Sequence, residues 1–199
     1  FSTLTSGTDN LVGTAGKDTF AAAYNGTANV FTALDNLDGG AGDDTLSIAF
    51  NGAYSTPGGV KVANIETVNL SASAGATLDA RGNFTGMKNL AVTSSGATTV
   101  ISNAGVATSV TNSTPGGNAT AVDGGANVAV TVTGSAASTD AITVGASIAP
   151  TGDVTISLAS ALTNATGAAV TSTGGKTVSV ASTMRNTATT NTATQGAIS

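Results

Sequence analysis

The feature that most constrains the fold is an apolar–polar alternation that recurs along the chain in phrases of similar length. It is clear in "VKVANIETVNLSAS", "NVAVTVTG" and "GDVTISLAS". Apolar residues at every second position are typical of a strand that buries one face. The apolar positions recur at similar intervals, which makes four pairs of residues equivalent: Val68 and Leu90, Leu90 and Val110, Val110 and Val130, and Ile156 and Val178. Units this short cannot fold alone, so the pattern predicts a stacked repeat.

We therefore predict an all-β fold, a parallel β-solenoid or β-roll-like array. Hydrophobic residues are 40% of the chain, much of it alanine, and aromatic residues are 4%. A core of small and β-branched side chains suits a narrow stack better than a thick globule. The recurrence is loose, so an antiparallel β-sandwich is the alternative.

The charges argue against several classes of function. Eleven acidic residues face six basic ones, and Lys and Arg form no cluster, which argues against a nucleic-acid partner. No apolar run is long enough for a membrane span. Histidine is absent, and neither a Ser–His nor a paired-Glu constellation can be assembled, so we expect no enzymatic activity.

The acidic residues are concentrated near the beginning of the chain. Six of the eleven lie within residues 1–48, and all six are aspartates. The densest stretch is "NLDGGAGDDTLSI" at 36–48. It contains Asp38, Gly39, Gly40, Gly42, Asp43 and Asp44.

A second copy of the pattern lies upstream, in "GTAGKDTF" at 13–20. Gly13 and Gly16 hold its first and fourth places, Asp18 its sixth, and Phe20 its eighth. In the copy at 39–47, Asp44 holds the sixth place. The second glycine of that copy is replaced by threonine at 13–20, and residues 21–34 separate the two copies.

The aspartates also recur in steps of nine residues. One step runs from Asp9 to Asp18 and another from Asp35 to Asp44, each aspartate followed two positions later by an apolar residue. This spacing places the acidic positions of successive turns in phase.

These residue types suit a calcium site. Ca²⁺ takes six to eight oxygen ligands from carboxylates and backbone carbonyls, and glycines allow turns that aim several carbonyls at one point. Asp44 and Asp18 are the first candidate ligands, followed by Asp9 and Asp35. Asp38 and Asp43 fit a solvated turn equally well, and plain turns also favour Gly and Asp.

The match resembles the RTX (hemolysin-type) nonapeptide G-G-x-G-x-D-x-U-x, whose implied structure is a calcium-binding parallel β-helix. Over residues 3–93, the phrases "LTSGTDNLVGTAGKDTF", "LDNLDGGAGDDTLSI" and "VANIETVNLSAS" resemble the RTX surface-layer (S-layer) proteins and large RTX adhesins of Gram-negative bacteria. The resemblance implies type I secretion, a location at the bacterial cell surface, Ca²⁺ as the bound ion and self-assembly into a lattice. Cell-surface polysaccharide or lipopolysaccharide is a further candidate partner.

The chain is divided by composition into an RTX-like calcium-binding region at 1–48 and a continuous strand-repeat region at 49–199, expected to belong to a longer protein. A structural S-layer subunit is the first hypothesis, and a calcium-rigidified adhesin or binding module is the alternative. An adhesin would group aromatic residues for stacking on sugars. The aromatic residues are scattered in sequence, which favours the lattice hypothesis: Tyr24, Phe31, Phe50, Tyr54 and Phe84.

Overall fold

The chain forms a parallel β-solenoid of about eight turns, seen in a computed structural model. The structure describes residues 1–96, 98–102, 106–113, 118–134, 140–162, 166–186 and 198–199. Every strand pairing within these residues is parallel, and none of them is helical. The predicted solenoid is therefore confirmed, and the sandwich alternative, which requires antiparallel pairs, is wrong.

Three sheets make the walls of the solenoid in the described part of the chain. Sheet 1 has nine strands: β1 (Ser2–Thr3), β3 (Thr19–Ala23), β5 (Thr45–Phe50), β8 (Thr67–Ala72), β11 (Asn89–Ser95), β13 (Ala107–Ser113), β15 (Val128–Gly134), β17 (Val154–Leu162) and β19 (Val178–Asn186). Sheet 2 has six: β6 (Tyr54–Ser55), β9 (Ala76–Asp79), β12 (Thr99–Ser102), β14 (Thr120–Asp123), β16 (Ile142–Val144) and β18 (Val170–Ser172). Sheet 3 has four: β2 (Asn10–Val12), β4 (Asn36–Asp38), β7 (Lys61–Ala63) and β10 (Phe84–Thr85).

The number of described strands per turn changes along the solenoid. From β5 to β11 the chain passes through sheets 1, 2 and 3 in order, whereas from β11 onward the described strands alternate between sheets 1 and 2. The described strands of sheet 3 therefore all lie in the first half of the stack. The Gly/Asp turns that precede β3 and β5 leave this sheet and enter sheet 1.

The alternation seen in the sequence buries one face of each strand. In β17 the side chains of Val154, Ile156 and Leu158 are at most 1% exposed. Thr155 between them is exposed. Strand propensity and burial therefore agree, since β-branched and aliphatic side chains fill the narrow interior.

The register confirms two of the predicted equivalences and corrects two. Val68 lies beside Leu90 and Val110 beside Val130, as predicted. The two wrong equivalences are each displaced by two residues, because Leu90 lies beside Thr108 and Ile156 beside Val180. A shift of two residues keeps every side chain on its own face, so alternation alone cannot distinguish the two registers.

Stacking is continuous across residue 48, since β5 pairs with β3 on one side and with β8 on the other. No helix long and apolar enough to cross a bilayer occurs among the residues that the structure describes.

Candidate functional site

The two Gly/Asp copies stack directly on one another. Strand β2 pairs with β4 and β3 pairs with β5, in one common register that sets Asn10 beside Asn36 and Thr19 beside Thr45. The turns at 13–18 and 39–44, which we call the Gly–Asp corner, therefore occupy the same corner of neighbouring coils. Asp9 and Asp35 share the opposite corner, where the chain enters sheet 3, so each nine-residue step leads from one corner to the other.

At the Gly–Asp corner, carboxylates form a column that is linked through the backbone. The Asp18 N–H donates to Asp44 Oδ1 at 2.6 Å. The Asp44 N–H donates in turn to Glu66 Oε2 at 2.9 Å. We call Asp18, Asp44 and Glu66 the carboxylate column, in which Asp44 and Glu66 each accept a hydrogen bond from the preceding coil.

Glu66 is a member that sequence reasoning missed. A signal for it exists in an acid–Thr–apolar phrase that occurs three times, as D-T-F at 18–20, D-T-L at 44–46 and E-T-V at 66–68. The next coil carries Lys88 close to this column. Its Nζ lies 3.9 Å from Glu66 Oε1 and 3.9 Å from Asp43 Oδ1, and at this exposure such pairs contribute little to stability.

Oδ2 of Asp18 has two hydrogen-bond donors, both from Thr14. Oδ2 accepts from the Thr14 N–H at 2.6 Å and from the Thr14 hydroxyl at 2.8 Å, while Oδ1 lies 4.0 Å from the N-terminal amine. The backbone hydrogen bond from Thr14 and then its hydroxyl hold the pKa of Asp18 below its ordinary value of 3.8. Asp18 is therefore a stable anion at the surface of this corner.

Asp44 is less well satisfied, because Gly40 occupies in its coil the place that Thr14 holds in the preceding one and brings no hydroxyl. Asp44 is 1% exposed, and its Oδ2 has no hydrogen-bond partner. A buried carboxylate oxygen without a donor is costly, and an ordered water or a cation would satisfy it.

A second oxygen faces the same place. A Cβ built on Gly39 would lie 2.6 Å from Asp44 Oδ2 and 1.9 Å from the Asn64 carbonyl oxygen. Glycine at position 39 thus lets a carboxylate and a carbonyl of the next coil approach one point that no side chain fills. Asn64 adopts a positive φ of 52°, and sequence reasoning did not identify it.

The opposite corner is more completely satisfied by hydrogen bonds. The Asp9 N–H donates to Asp35 Oδ1 at 2.8 Å, and the Thr32 N–H donates to Asp35 Oδ2 at 2.7 Å. Asp9 Oδ2 accepts from the Thr5 N–H at 2.8 Å. Asp35 is fully buried and Asp9 is 9% exposed, so these carboxylates already serve backbone donors of adjacent turns.

The other two aspartates have simpler surroundings. Asp38 Oδ1 accepts from Asn64 Nδ2 at 2.8 Å and from the Gly40 N–H at 3.0 Å. The Asn64 amide, then Gly40, lowers the pKa of Asp38. The side chain of Asp43 is 88% exposed. Both positions behave as turn residues in this structure.

The remaining glycines of the motif differ in what they require. A Cβ on Gly13 would lie 2.1 Å from the Gly39 carbonyl oxygen, so this position is as crowded as Gly39. Gly40 and Gly42 have φ of 85° and 131°. Gly16 is open, since the nearest atom to its Cβ position is 4.0 Å away.

The donor set suits a hard cation bound by few carboxylates. Within the described ranges, no three acidic, histidine or cysteine side chains gather into a metal-binding group. An ion at the Gly–Asp corner would therefore depend on carbonyl oxygens as well as on Asp44, a mixture that calcium accepts. Asp44 Oδ2 and the Asn64 carbonyl would supply two of the six to eight oxygens that calcium takes.

Comparison with known proteins adds no relative, because no family model matches the chain and no curated protein matches it.

Proposed function

We propose that this chain is a calcium-stabilised structural module of a bacterial cell-surface protein, a subunit or segment of an S-layer of the RTX type. In this proposal the protein leaves the cell by type I secretion, has no catalytic role and works by being a stiff, repetitive scaffold.

The observation that carries the calcium proposal is the unpartnered Oδ2 of Asp44. The oxygen belongs to a residue that is 1% exposed, and both it and the Asn64 carbonyl oxygen lie close to the point where a Cβ on residue 39 would stand. A cation beside a buried carboxylate oxygen and a carbonyl oxygen would offset the repulsion between their negative charges. Calcium would supply that charge, held by Asp44 and the Asn64 carbonyl, with Asp18 adding negative charge from the neighbouring coil.

Calcium binding would couple the Gly–Asp corner to folding. Carboxylates of the carboxylate column approach one another only when the coils stack, so a ligand for the stacked state stabilises it. Extracellular calcium modules typically bind at about 10⁻⁴–10⁻³ M. The first coils would accordingly be loose in the cytosol and stiff outside, which suits export as an unfolded chain.

The outer face of sheet 1 supports a role in lateral assembly with other copies of the chain. Its side chains are small and uncharged at successive coils, for example Asn69, Ala91, Ser109 and Ala129. A face without charged side chains allows close approach of a neighbour without desolvating charges.

The decisive experiment compares thermal unfolding in EDTA and in calcium for the wild type, Asp44→Asn and Asp43→Asn. At free calcium about 50 times the dissociation constant, linkage gives about 2 kcal/mol, or about 4–8 °C in Tm for a chain of this size. Asp44→Asn keeps an acceptor for the Asp18 N–H but removes the charge, so its calcium response should fall below about 2 °C, a fraction of that shift.

Asp43→Asn is the matched control, because it removes the same charge one residue away from an exposed position and should respond like the wild type. A wild type that melts at the same temperature in EDTA and in calcium would refute the calcium proposal. The aspartates would then be hydrogen-bond acceptors for the turns and nothing more. The lattice proposal is tested separately by negative-stain electron microscopy in calcium, and dispersed particles at every concentration would contradict it.

A further inference from the structure

Three of the five aromatic residues that are scattered in the sequence come together in space. Phe31, Phe50 and Tyr54 meet at the corner where β5 leads into β6. The rings of Phe31 and Tyr54 are stacked, with centroids 6.5 Å apart and planes inclined by 16°. Phe50 meets Tyr54 edge to face at 5.3 Å and 89°. These three residues form what we call the aromatic corner.

A concavity of about 350 Å³ opens beside the aromatic corner. Its lining residues are Tyr24, Ala49, Phe50, Asn51, Ser71 and Ser73. The Tyr24 N–H donates to the Ala49 carbonyl at 2.8 Å, which sets Tyr24 next to Phe50 on the neighbouring coil. Tyr24 is 37% exposed, whereas Tyr54 is 2% exposed and anchors the cluster from inside.

The polar side of the concavity is held in place by a ladder of side chains. Asn29 Nδ2 donates to the Asn51 carbonyl at 3.0 Å, and the Asn51 N–H donates to Asn29 Oδ1 at 2.7 Å. The Ser73 hydroxyl donates to Asn51 Oδ1 at 3.3 Å, and the Gly52 N–H donates to Ser73 Oγ at 2.7 Å. Asn51 thus joins the coils on both sides and lines the concavity, where its side-chain amide is a polar group.

We propose that this concavity binds a sugar ring of a neutral polysaccharide. A pyranose offers a C–H face that stacks on an aromatic ring and hydroxyls that pair with amides and serines, the two kinds of group present here. The concavity is open to solvent, and like ligand sites in general it combines apolar surface with a few polar groups.

The charge of the site selects the neutral class of ligand. None of the six lining residues is ionised at neutral pH, so a uronate or a phosphate would find no cation to replace its hydration. The chain as a whole carries a formal charge of −5, which adds a repulsion against acidic polymers. Sugar binding here requires no calcium, so it stands independently of the proposed function.

The test is affinity electrophoresis of the folded chain through gels that contain dextran, galactomannan or laminarin, with polygalacturonate as the acidic comparison. We expect retardation by at least one neutral polymer. Tyr24→Ala should weaken this binding about tenfold, the size expected for loss of one aromatic contact, while Tyr24→Phe should retain it. Phe1→Ala is the matched control, because Phe1 is an exposed aromatic residue (84%) outside the concavity.

A second measurement keeps Tyr24 in place, so its result does not depend on how well Tyr24→Ala folds. The chain has two tyrosines and no tryptophan, so in Tyr54→Phe the tyrosine emission comes from Tyr24 alone. Laminarihexaose and mannohexaose are then titrated into this variant, and at least one should change the emission saturably. The proposal is overturned if no neutral polymer retards the chain, if polygalacturonate alone does, or if Tyr24→Ala binds like the wild type.

Discussion

Replacement of Gly39 by alanine is the most direct test of how closely the coils stack. The added Cβ would lie 1.9 Å from the Asn64 carbonyl oxygen and 2.9 Å from its carbon. The carbonyl is part of the next coil, whose Ala63 carbonyl accepts the Gly39 N–H at 2.9 Å. The clash can therefore be relieved only by moving one backbone against another, and not by rotating a side chain.

The expected cost follows from that geometry. Forcing extra atoms into a packed site typically costs about 1–3 kcal/mol, and a backbone obstacle places Gly39→Ala at the upper end. Loss of glycine entropy in the unfolded chain offsets about 0.4–1 kcal/mol. The net loss is about 2–3 kcal/mol, which lowers Tm by about 4–12 °C.

Gly16→Ala supplies the matched comparison within the same motif. The nearest atom to its Cβ position is 4.0 Å away, in ordinary contact range, so this variant should be neutral or more stable by up to about 1 kcal/mol. Both variants are followed by circular dichroism during heating at one calcium concentration. Equal Tm values for Gly39→Ala and the wild type, or an equal loss in Gly16→Ala, would refute the close-stacking argument.

Two further predictions concern the core and the acid response. Ile156→Ala should lower the free energy of unfolding by about 3 kcal/mol, because Ile156 is 0% exposed. Urea unfolding should show Thr155→Ala unchanged within about 0.5 kcal/mol. Similar losses in both variants would contradict the assigned faces of β17. The lowered pKa of Asp18 contributes stability that is complete above its ordinary value of 3.8 and is lost as pH falls through the lowered folded value. Thr14→Val removes the hydroxyl and keeps the backbone N–H, so carboxyl NMR titration should show this pKa rising part of the way toward 3.8, and no movement would exclude the Thr14 hydroxyl as a cause. Asp18→Asn should reduce the loss of Tm below pH 3.8, and an unchanged acid profile would contradict that linkage.

The correct and the incorrect predictions of which strand residues lie side by side have the same cause. Alternation with a period of two fits any even shift of register, so Leu90 was placed beside Val110 although the structure pairs it with Thr108. The true register depends on the length of the connection between β11 and β13, which the alternation within the strands does not report. A buried threonine at position 108 (3% exposed) hid the inward position that alternation alone would have marked.

The candidate site was predictable in part. The phase of Asp18 with Asp44 and of Asp9 with Asp35 follows from the repeated motif, and the structure places both pairs in adjacent coils. The same reasoning could have identified Glu66, because Glu66, like Asp18 and Asp44, is followed by threonine and then by an apolar residue.

By itself, the sequence determined the strand class, the inward faces and the repeat of the Gly–Asp turns, because these depend on local propensity and on short periods. Tertiary structure alone decided which atoms meet across coils. Both oxygens of Asp35 accept backbone hydrogen bonds, whereas Oδ2 of Asp44 has no donor and lies near the Asn64 carbonyl. Phe31, Phe50 and Tyr54 meet at one corner. Most of these contacts join residues of different coils, so they depend on the length of every intervening turn.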